Sequence, residues 1–380
     1  MASDRPSSNA RGNRADGLVD LYERAGYLRV DPPVLQPADD FLELAGEELR
    51  KSLFVTSDAA GRELCLRPDL TIPVCRQHLT NGAAGRPAAY CYLGPIFRDR
   101  GDGRSEILQA GIESLGRQDR EAADAECLAL ALESVGSYHA RPEIRMGDVG
   151  LFAALVGALD LPPAWRRRLI KDFNRAGTLE ADLATLKLAR GSGAAHAGLL
   201  AALSGSDHEA ARALITDLLS IAGIKAVGGR TVEEIAERFL EQAELGAAAR
   251  LSAETTAVLE RYLAISGDPD EAAGALRALA ADASLDLSAA LDAFEQRTGF
   301  LAAGGADVAT IRFSTAFGRA LDYYTGMVFE LHDSRTRANG PLAAGGRYDR
   351  LLTLLGSAEP VPAVGFAVWV ARLEQAGGRP

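Results

Sequence analysis

The feature that most restricts the fold is a pair of strand-like runs, residues 88–97 (AAYCYLGPIF) and 106–115 (EILQAGIESL), parted only by the polar turn 98–105. Together they predict a long antiparallel hairpin, which is not stable alone and needs further strands or helices around it. Short strands are expected at 54–56 and 63–66, around a DAAGR turn. Helices are expected over 15–26, over 39–53, over 70–79 behind Arg67, Pro68 and Asp69, and over 121–138. Pro32, Pro33 and Pro37 make 27–37 a bent or edge strand. From about 150 to 300 strand signals nearly disappear and Ala, Leu and Glu dominate. Thr231 with Glu234 reads as a capping box there, and Asp268 before Pro269 as an N-cap with proline at the first helical position. Strands return at 309–313 and 327–332, and 361–373 closes the chain as strand or strand-to-helix. This pattern predicts an α+β fold, an antiparallel sheet flanked by helices and assembled from residues 15–150 and 300–380. Residues 151–299 are expected to be a helical insertion, and residues 1–14 a disordered tail.

A chain of 380 residues exceeds one ordinary core, which agrees with two domains. Its formal charge of -11 and pI of about 5.1 argue against binding nucleic acid through phosphate contacts. The basic run WRRRLIK at 165–171 reads as a solvated helix face. No run of eighteen apolar residues is present, so no membrane span is expected, and the polar N-terminus lacks a signal-peptide core. Cys65, Cys75, Cys91 and Cys127 form no C-x-x-C pair, and the histidines are scattered. Neither a zinc site nor a disulfide framework is indicated, and a reduced, cytoplasmic protein without metal or cofactor is expected.

Two stretches carry recognition chemistry. In residues 318–330 (GRALDYYTGMVFE), Arg319, Asp322, Tyr323 and Tyr324 crowd together ahead of a strand. A guanidinium fork suits a carboxylate, and phenol hydroxyls can donate to or accept from a ring nitrogen, so the cluster suits a small zwitterion. In residues 343–351 (AAGGRYDRL), the paired glycines are expected to turn the backbone tightly beside the tyrosines. On strand 106–115, Gln109, Gly111 and Glu113 share one face. Gly111 leaves a bare floor between two polar walls, whose Cα atoms lie about 13 Å apart at ~3.3 Å per residue.

These motifs carry a resemblance. LRPDLTIPVCRQH, YLGPIFRDR and ILQAGIESLG resemble the second signature motif of class II aminoacyl-tRNA synthetases in its histidyl form. GRALDYYTGMVFE and AAGGRYDRL resemble the two histidine-recognition motifs of histidyl-tRNA synthetase, and AVGFAVWVARLE a degenerate third motif. The resemblance covers roughly residues 15–150 and 300–374. It implies a histidine site made of Asp69, Thr71, Arg98, Gln109, Glu113, Arg319, Tyr323 and Tyr324. In that site Glu113 would accept an imidazole N–H and Tyr324 would meet the other ring nitrogen. Arg319 would pair with the α-carboxylate, and Asp69, Thr71 and Gln109 would hold the ammonium.

The departures point away from a synthetase. Arg98 matches the arginine that grips the α-phosphate, but Arg100 stands where the family has a glutamate near adenine. Trp369 replaces a glycine on which ATP would lie, and Ala371 a glutamate, while Arg372 is kept. Only residues 373–380 follow Arg372, so no anticodon-binding domain is expected. This combination is similar to the regulatory-subunit family of ATP phosphoribosyltransferase. The resemblance implies a non-catalytic partner of a short catalytic subunit, acting at the first step of histidine biosynthesis with L-histidine as feedback effector. A homodimer core through residues 27–37 and the following helix is also implied. A truncated histidine-activating enzyme and a purely structural partner remain open at this point. The insertion is open too, as a solvent-facing elaboration or a docking surface.

Overall fold

The central hairpin forms over the residues the sequence indicated, and six more strands of a nine-stranded sheet extend from its two sides with a further short one at the edge. A computed structural model of the chain describes residues 8–44, 47–82, 85–101, 103, 105–140, 142–173, 213, 216–217, 251–319, 321, 323–333 and 340–377. The Thr231 and Glu234 capping box and Asp322 lie outside these residues. The first half contains α1 (Ser8–Arg24), β1 (Leu28–Arg29), β2 (Leu35–Pro37), α2 (Ala38–Leu44), α3 (Glu47–Lys51), β3 (Val55–Ser57), β4 (Glu63–Leu66) and α4 (Thr71–Thr80). The hairpin strands β5 (Ala88–Phe97) and β6 (Glu106–Leu115) follow, then α5 (Arg120–Gly136), β7 (Pro142–Asp148), α6 (Val149–Ala158) and α7 (Pro163–Phe173). The later part has α8 (Ala253–Leu263), β8 (Ser266–Gly267), α9 (Pro269–Asp282), α10 (Ser288–Ala303) and β9 (Ile311–Ser314). It ends with β10 (Met327–Asp333), β11 (Ala343–Arg347), α11 (Leu351–Leu354), β12 (Ala363–Trp369) and α12 (Val370–Gly377).

The large sheet runs β1-β5-β6-β12-β11-β10-β7-β9-β8, and β2-β4-β3 form a small antiparallel one. From β5 to β7 every pairing is antiparallel, as expected. Two outer pairs, β1 with β5 and β7 with β9, are parallel, so the sheet is mixed. Parallel neighbours need a long crossover, and here residues 30–87 and 149–310 provide the two.

Three expectations are corrected. Helix α1 begins at Ser8, so residues 8–14 belong to it and not to a tail. AAGGR is not a turn but β11, in the middle of the sheet. A Cβ on Gly345 would overlap the Gly365 carbonyl and Phe366, so the glycine serves close packing of neighbouring strands. Strand β7 was not foreseen. Only Ile144 and Met146 mark its buried side, too few to show alternation in a run as polar as PEIRMGD.

By its internal contacts the chain divides into residues 1–155 with 260–380, and residues 156–259. Residues 260–299, expected within the insertion, therefore belong to the sheet unit. There α9 is capped as foreseen, with the Asp268 carboxylate accepting from the Asp270 and Glu271 amides at 2.9 Å. In the smaller unit, α7 buries Trp165 and Leu169 and exposes Arg166, Arg167 and Lys171.

In the sheet unit, strand alternation separates two faces. Ile112 and Phe366 face α1, whose Tyr22 meets the Phe366 ring edge-on at 5.8 Å. Gln109, Gly111 and Glu113 take the other face, where α4 lies with Leu70 and Val74 packed on Tyr92 and Ile96. A buried charge network ties the remaining layers together. Arg347 at the end of β11 reaches Asp124 of α5 at 2.7 Å, and Arg297 of α10 pairs with Asp124 at 3.3 Å and with Asp148 of β7. The other Asp148 oxygen accepts from the Gly150 amide at 2.8 Å and opens α6.

Candidate functional site

Glu113 is the centre of the site, and it has no exposed surface. Its carboxylate accepts from the Thr71 hydroxyl at 2.7 Å, the Tyr92 hydroxyl at 3.2 Å and the Tyr348 hydroxyl. Burial pushes the Glu113 pKa up to about 8, against the pull of these three donors. A carboxylate has roughly four acceptor positions, so about one remains for a ligand. Gly365 lies opposite Glu113 on β12, where any Cβ would strike the carboxylate.

The space over Gly111 is not bare, contrary to expectation. Tyr92, its cross-strand partner on β5, covers it, and a Cβ on Gly111 would overlap the phenol. The glycine thus lets the Tyr92 ring lie flat enough for its hydroxyl to reach Glu113. Sequence reasoning named neither Tyr92 nor Tyr348 as site residues. The signal for Tyr92 was strand register, since it faces Gly111 across the hairpin; for Tyr348 it was the motif itself.

Asp69 and Thr71 flank the start of α4. One Asp69 oxygen accepts from the Ile72 amide at 3.1 Å, and the other, buried, has no partner among the described residues. Burial raises the Asp69 pKa to about 6, with attraction to Arg98 acting the other way. Gln109 is also buried, and its side-chain oxygen is likewise unpartnered. Arg98 leaves the end of β5 and donates to the Pro68 carbonyl at 2.8 Å.

The loop before β10 brings the second half of the set. Arg319 pairs with Glu330 at 3.2 Å and lies over the Tyr324 ring at 5.8 Å, while its Nε has no acceptor among the described residues. Tyr323 packs on Tyr324 at 5.0 Å and edge-on to Tyr348 at 5.8 Å. Burial raises both phenol pKa values, so both hydroxyls stay protonated. Asp69, Thr71, Arg98, Glu113, Arg319, Tyr323 and Tyr324 are thus joined by hydrogen bonds, ring contacts or direct electrostatic influence. Gln109 is placed with them by strand register, on the same face as Glu113.

Beside this set stands Trp369. It is 8% exposed, pairs in register with Gln109, and carries the Arg372 guanidinium over its ring at 4.9 Å. No group of three or more His, Cys, Asp or Glu suited to a metal occurs among the described residues.

The comparisons agree with this geometry. A family model described as histidyl-tRNA synthetase matches residues 4–239 and 213–373. The chain is 45% identical over 363 residues to the ATP phosphoribosyltransferase regulatory subunit of Brucella canis, with 95% of this chain and 96% of that protein covered. The namesake protein of Brucella melitensis biotype 2 matches to the same extent. Among solved structures, an ATP phosphoribosyltransferase regulatory subunit/histidyl-tRNA synthetase from Bacillus halodurans superposes with a TM-score of 0.70 at 20% identity, over 100% of this chain and 82% of that one. A histidine–tRNA ligase subunit from Alicyclobacillus acidocaldarius gives 0.58 at 22% identity, over 99% and 95%. The fold is therefore that of the histidyl-tRNA synthetases, and the chain belongs to the ATP phosphoribosyltransferase regulatory subunit family.

Proposed function

We propose that this chain binds L-histidine at the Glu113 site and regulates a separate, short catalytic subunit of ATP phosphoribosyltransferase. It thereby acts at the first step of histidine biosynthesis and carries the feedback signal. The observation that carries the reading is the set of buried atoms around Glu113 that have no partner among the described residues. Asp69 and Gln109 each offer an oxygen suited to an ammonium, and the Arg319 Nε offers a donor suited to a carboxylate. Such groups are costly to leave unpaired, so a zwitterion of matching pattern is the occupant they favour. Glu113 and Tyr324 remain to meet an imidazole, as one acceptor and one hydroxyl.

Feedback needs two states that histidine binds with different affinity. The site is made of residues 69–113 and 319–348, so ligand binding draws together segments far apart in sequence. A coupling on the order of 1–3 kcal/mol would be ordinary for such a device. The test mixes this chain with the short catalytic subunit and follows phosphoribosyl-ATP formation while histidine is titrated. A Glu113→Ala complex is expected to stay active and lose part or all of its inhibition. Inhibition as strong as in wild type would place the histidine sensor on the partner.

We further take the working unit to be a homodimer in the cytoplasm. Leu28, Val34 and Leu35 are exposed at 65, 37 and 49%, apolar side chains of the 28–35 segment from β1 to the start of β2 that suit a second copy. All four cysteines are free and buried, which suits a reducing compartment. No helix among the described residues is long and apolar enough to cross a membrane.

A further inference from the structure

The face of the sheet that carries Glu113 continues past the amino-acid site onto β10 and β7. Two rows of cross-strand partners show this. Glu113, Gly365, Gly346 and Val328 form one, and Gly111, Ala367, Ala344, Glu330 and Arg145 form the next. Directly opposed residues share a face, so Glu330, and His332 two positions on, stand on the side of the site.

Both oxygens of Glu330 are engaged. One meets the Arg319 Nη1 at 3.2 Å, and the other lies 2.8 Å from the His332 Nε2. Burial works to raise the Glu330 pKa, but His332, Arg319 and Arg145 outweigh it and hold the group below its ordinary value. Glu330 is therefore an anion at neutral pH. An ionised carboxylate only accepts, so the His332 Nε2 carries the hydrogen and donates it. His332 is itself buried. The cations on β7 and β9 are served by a different acid. Arg145 donates to Glu143 at 3.2 Å, and Arg312 lies 3.7 Å from the same oxygen.

The consequence falls on Arg319. Its Nη1 is held by Glu330 and by the Phe329 carbonyl at 3.5 Å, and its plane lies over the Tyr324 ring. With that end fixed, the guanidinium presents its Nε side, and Nε is the buried donor without an acceptor among the described residues. A long side chain fixed before the ligand arrives loses less freedom on binding. We infer that Glu330 and His332 are positioning residues that set Arg319 for a ligand carboxylate, and so make the site prefer an amino acid over its alcohol. Neither side chain needs to touch the ligand. The inference rests on the histidine reading of the site and adds to it the source of carboxylate selectivity.

The test compares L-histidine with L-histidinol, which keeps the imidazole and the ammonium and lacks the carboxylate. Both are titrated by calorimetry into the full-length wild type, Glu330→Ala, Glu330→Gln, His332→Phe, Arg319→Met and the Arg319→Met/Glu330→Ala double variant. Wild type should prefer histidine, and Glu330→Ala should weaken histidine by on the order of tenfold while histidinol changes little. His332→Phe and Glu330→Gln should lower the same preference by smaller factors. A general loss of structure would weaken both ligands alike. In the Arg319→Met background, Glu330→Ala should change neither affinity further. The inference is overturned if the histidine-to-histidinol preference survives in both Glu330→Ala and His332→Phe. It also falls if Glu330→Ala binds histidine more tightly, since Glu330 would then be a competitor for Arg319. Continued loss in the Arg319→Met background would show that Glu330 acts by another route. If wild type binds no histidine, the histidine reading fails, and this inference fails with it. Histidine binding without selectivity changes defeats this inference alone.

Discussion

At Glu113 the pKa has a direction that melting experiments can read. The folded chain holds this proton more tightly than the unfolded one, because burial raises the group to about 8. Between the ordinary carboxylate range and about pH 8 the native state therefore binds more protons, and stability falls as pH rises through that window. Glu113→Gln should flatten this fall in urea melts taken from pH 5 to 8. An unchanged slope would shift attention to Asp69, raised to about 6 by the same cause. For the ligand, truncating Glu113 removes a buried hydrogen bond, at a cost of roughly 1–3 kcal/mol in histidine affinity. Calorimetry on Glu113→Ala, with circular dichroism to confirm folding, checks this. Absence of binding heat from wild type at millimolar histidine would refute the pocket. Much of this site was legible in the sequence, because alternation along 106–115 puts Gln109 and Glu113 on one face. The role of Tyr92 was not, since it depends on which residue of β5 stands across from Gly111.

Among the elements, local signals and long-range pairing differ in legibility. The hairpin strands, α4 and the Asp268 cap declare themselves through nearby residues. Asp268→Ala should cost about 1 kcal/mol, measurable as a lowered urea midpoint. By contrast, β11 looks like a turn in sequence because its glycines answer to β12 and β10, not to their neighbours in the chain. β7 was hidden for a related reason. The Asp124, Asp148, Arg297 and Arg347 network holds α5, β7, α10 and β11 together, and none of its partnerships is local. Replacing Arg297 by Met leaves two buried carboxylates with one cation. A loss of 3–5 kcal/mol, on the order found for broken buried pairs, is expected in denaturant unfolding. A loss below about 1 kcal/mol would show that the network contributes little. The strand-to-helix step from β12 to α12 carries Trp369, and with Arg100 it argues against adenylation. Histidine-dependent exchange of labelled pyrophosphate into ATP should be undetectable, and clear exchange would restore the synthetase reading.

At the scale of the whole molecule, the sheet unit is completed by segments from both ends of the chain. Composition showed this as a shift near residue 150, but it could not show that 260–299 return to the sheet unit. That depends on packing of α10 against α5. The exposed apolar residues Leu28, Val34 and Leu35 give this scale its own test. Leu35→Glu should shift sedimentation from dimer toward monomer while the chain stays folded, and an unchanged mass would exclude this face from the contact.

The position of β12 beside β6 also sets a schedule for synthesis. Gln109 leaves the ribosome ~260 residues before Trp369, its partner in the register, which at ~5–20 residues per second is on the order of 10–50 s. During that interval the hairpin has a free edge, and Glu113 lacks the Tyr348 hydroxyl. Such an edge invites pairing with other nascent chains unless something shields it. Ribosome-bound chains arrested at residue 155 should therefore be cut by protease within β6 and retained by chaperones, and full-length chains should not. Equal protection of both would mean that the edge is covered from within the first half of the chain.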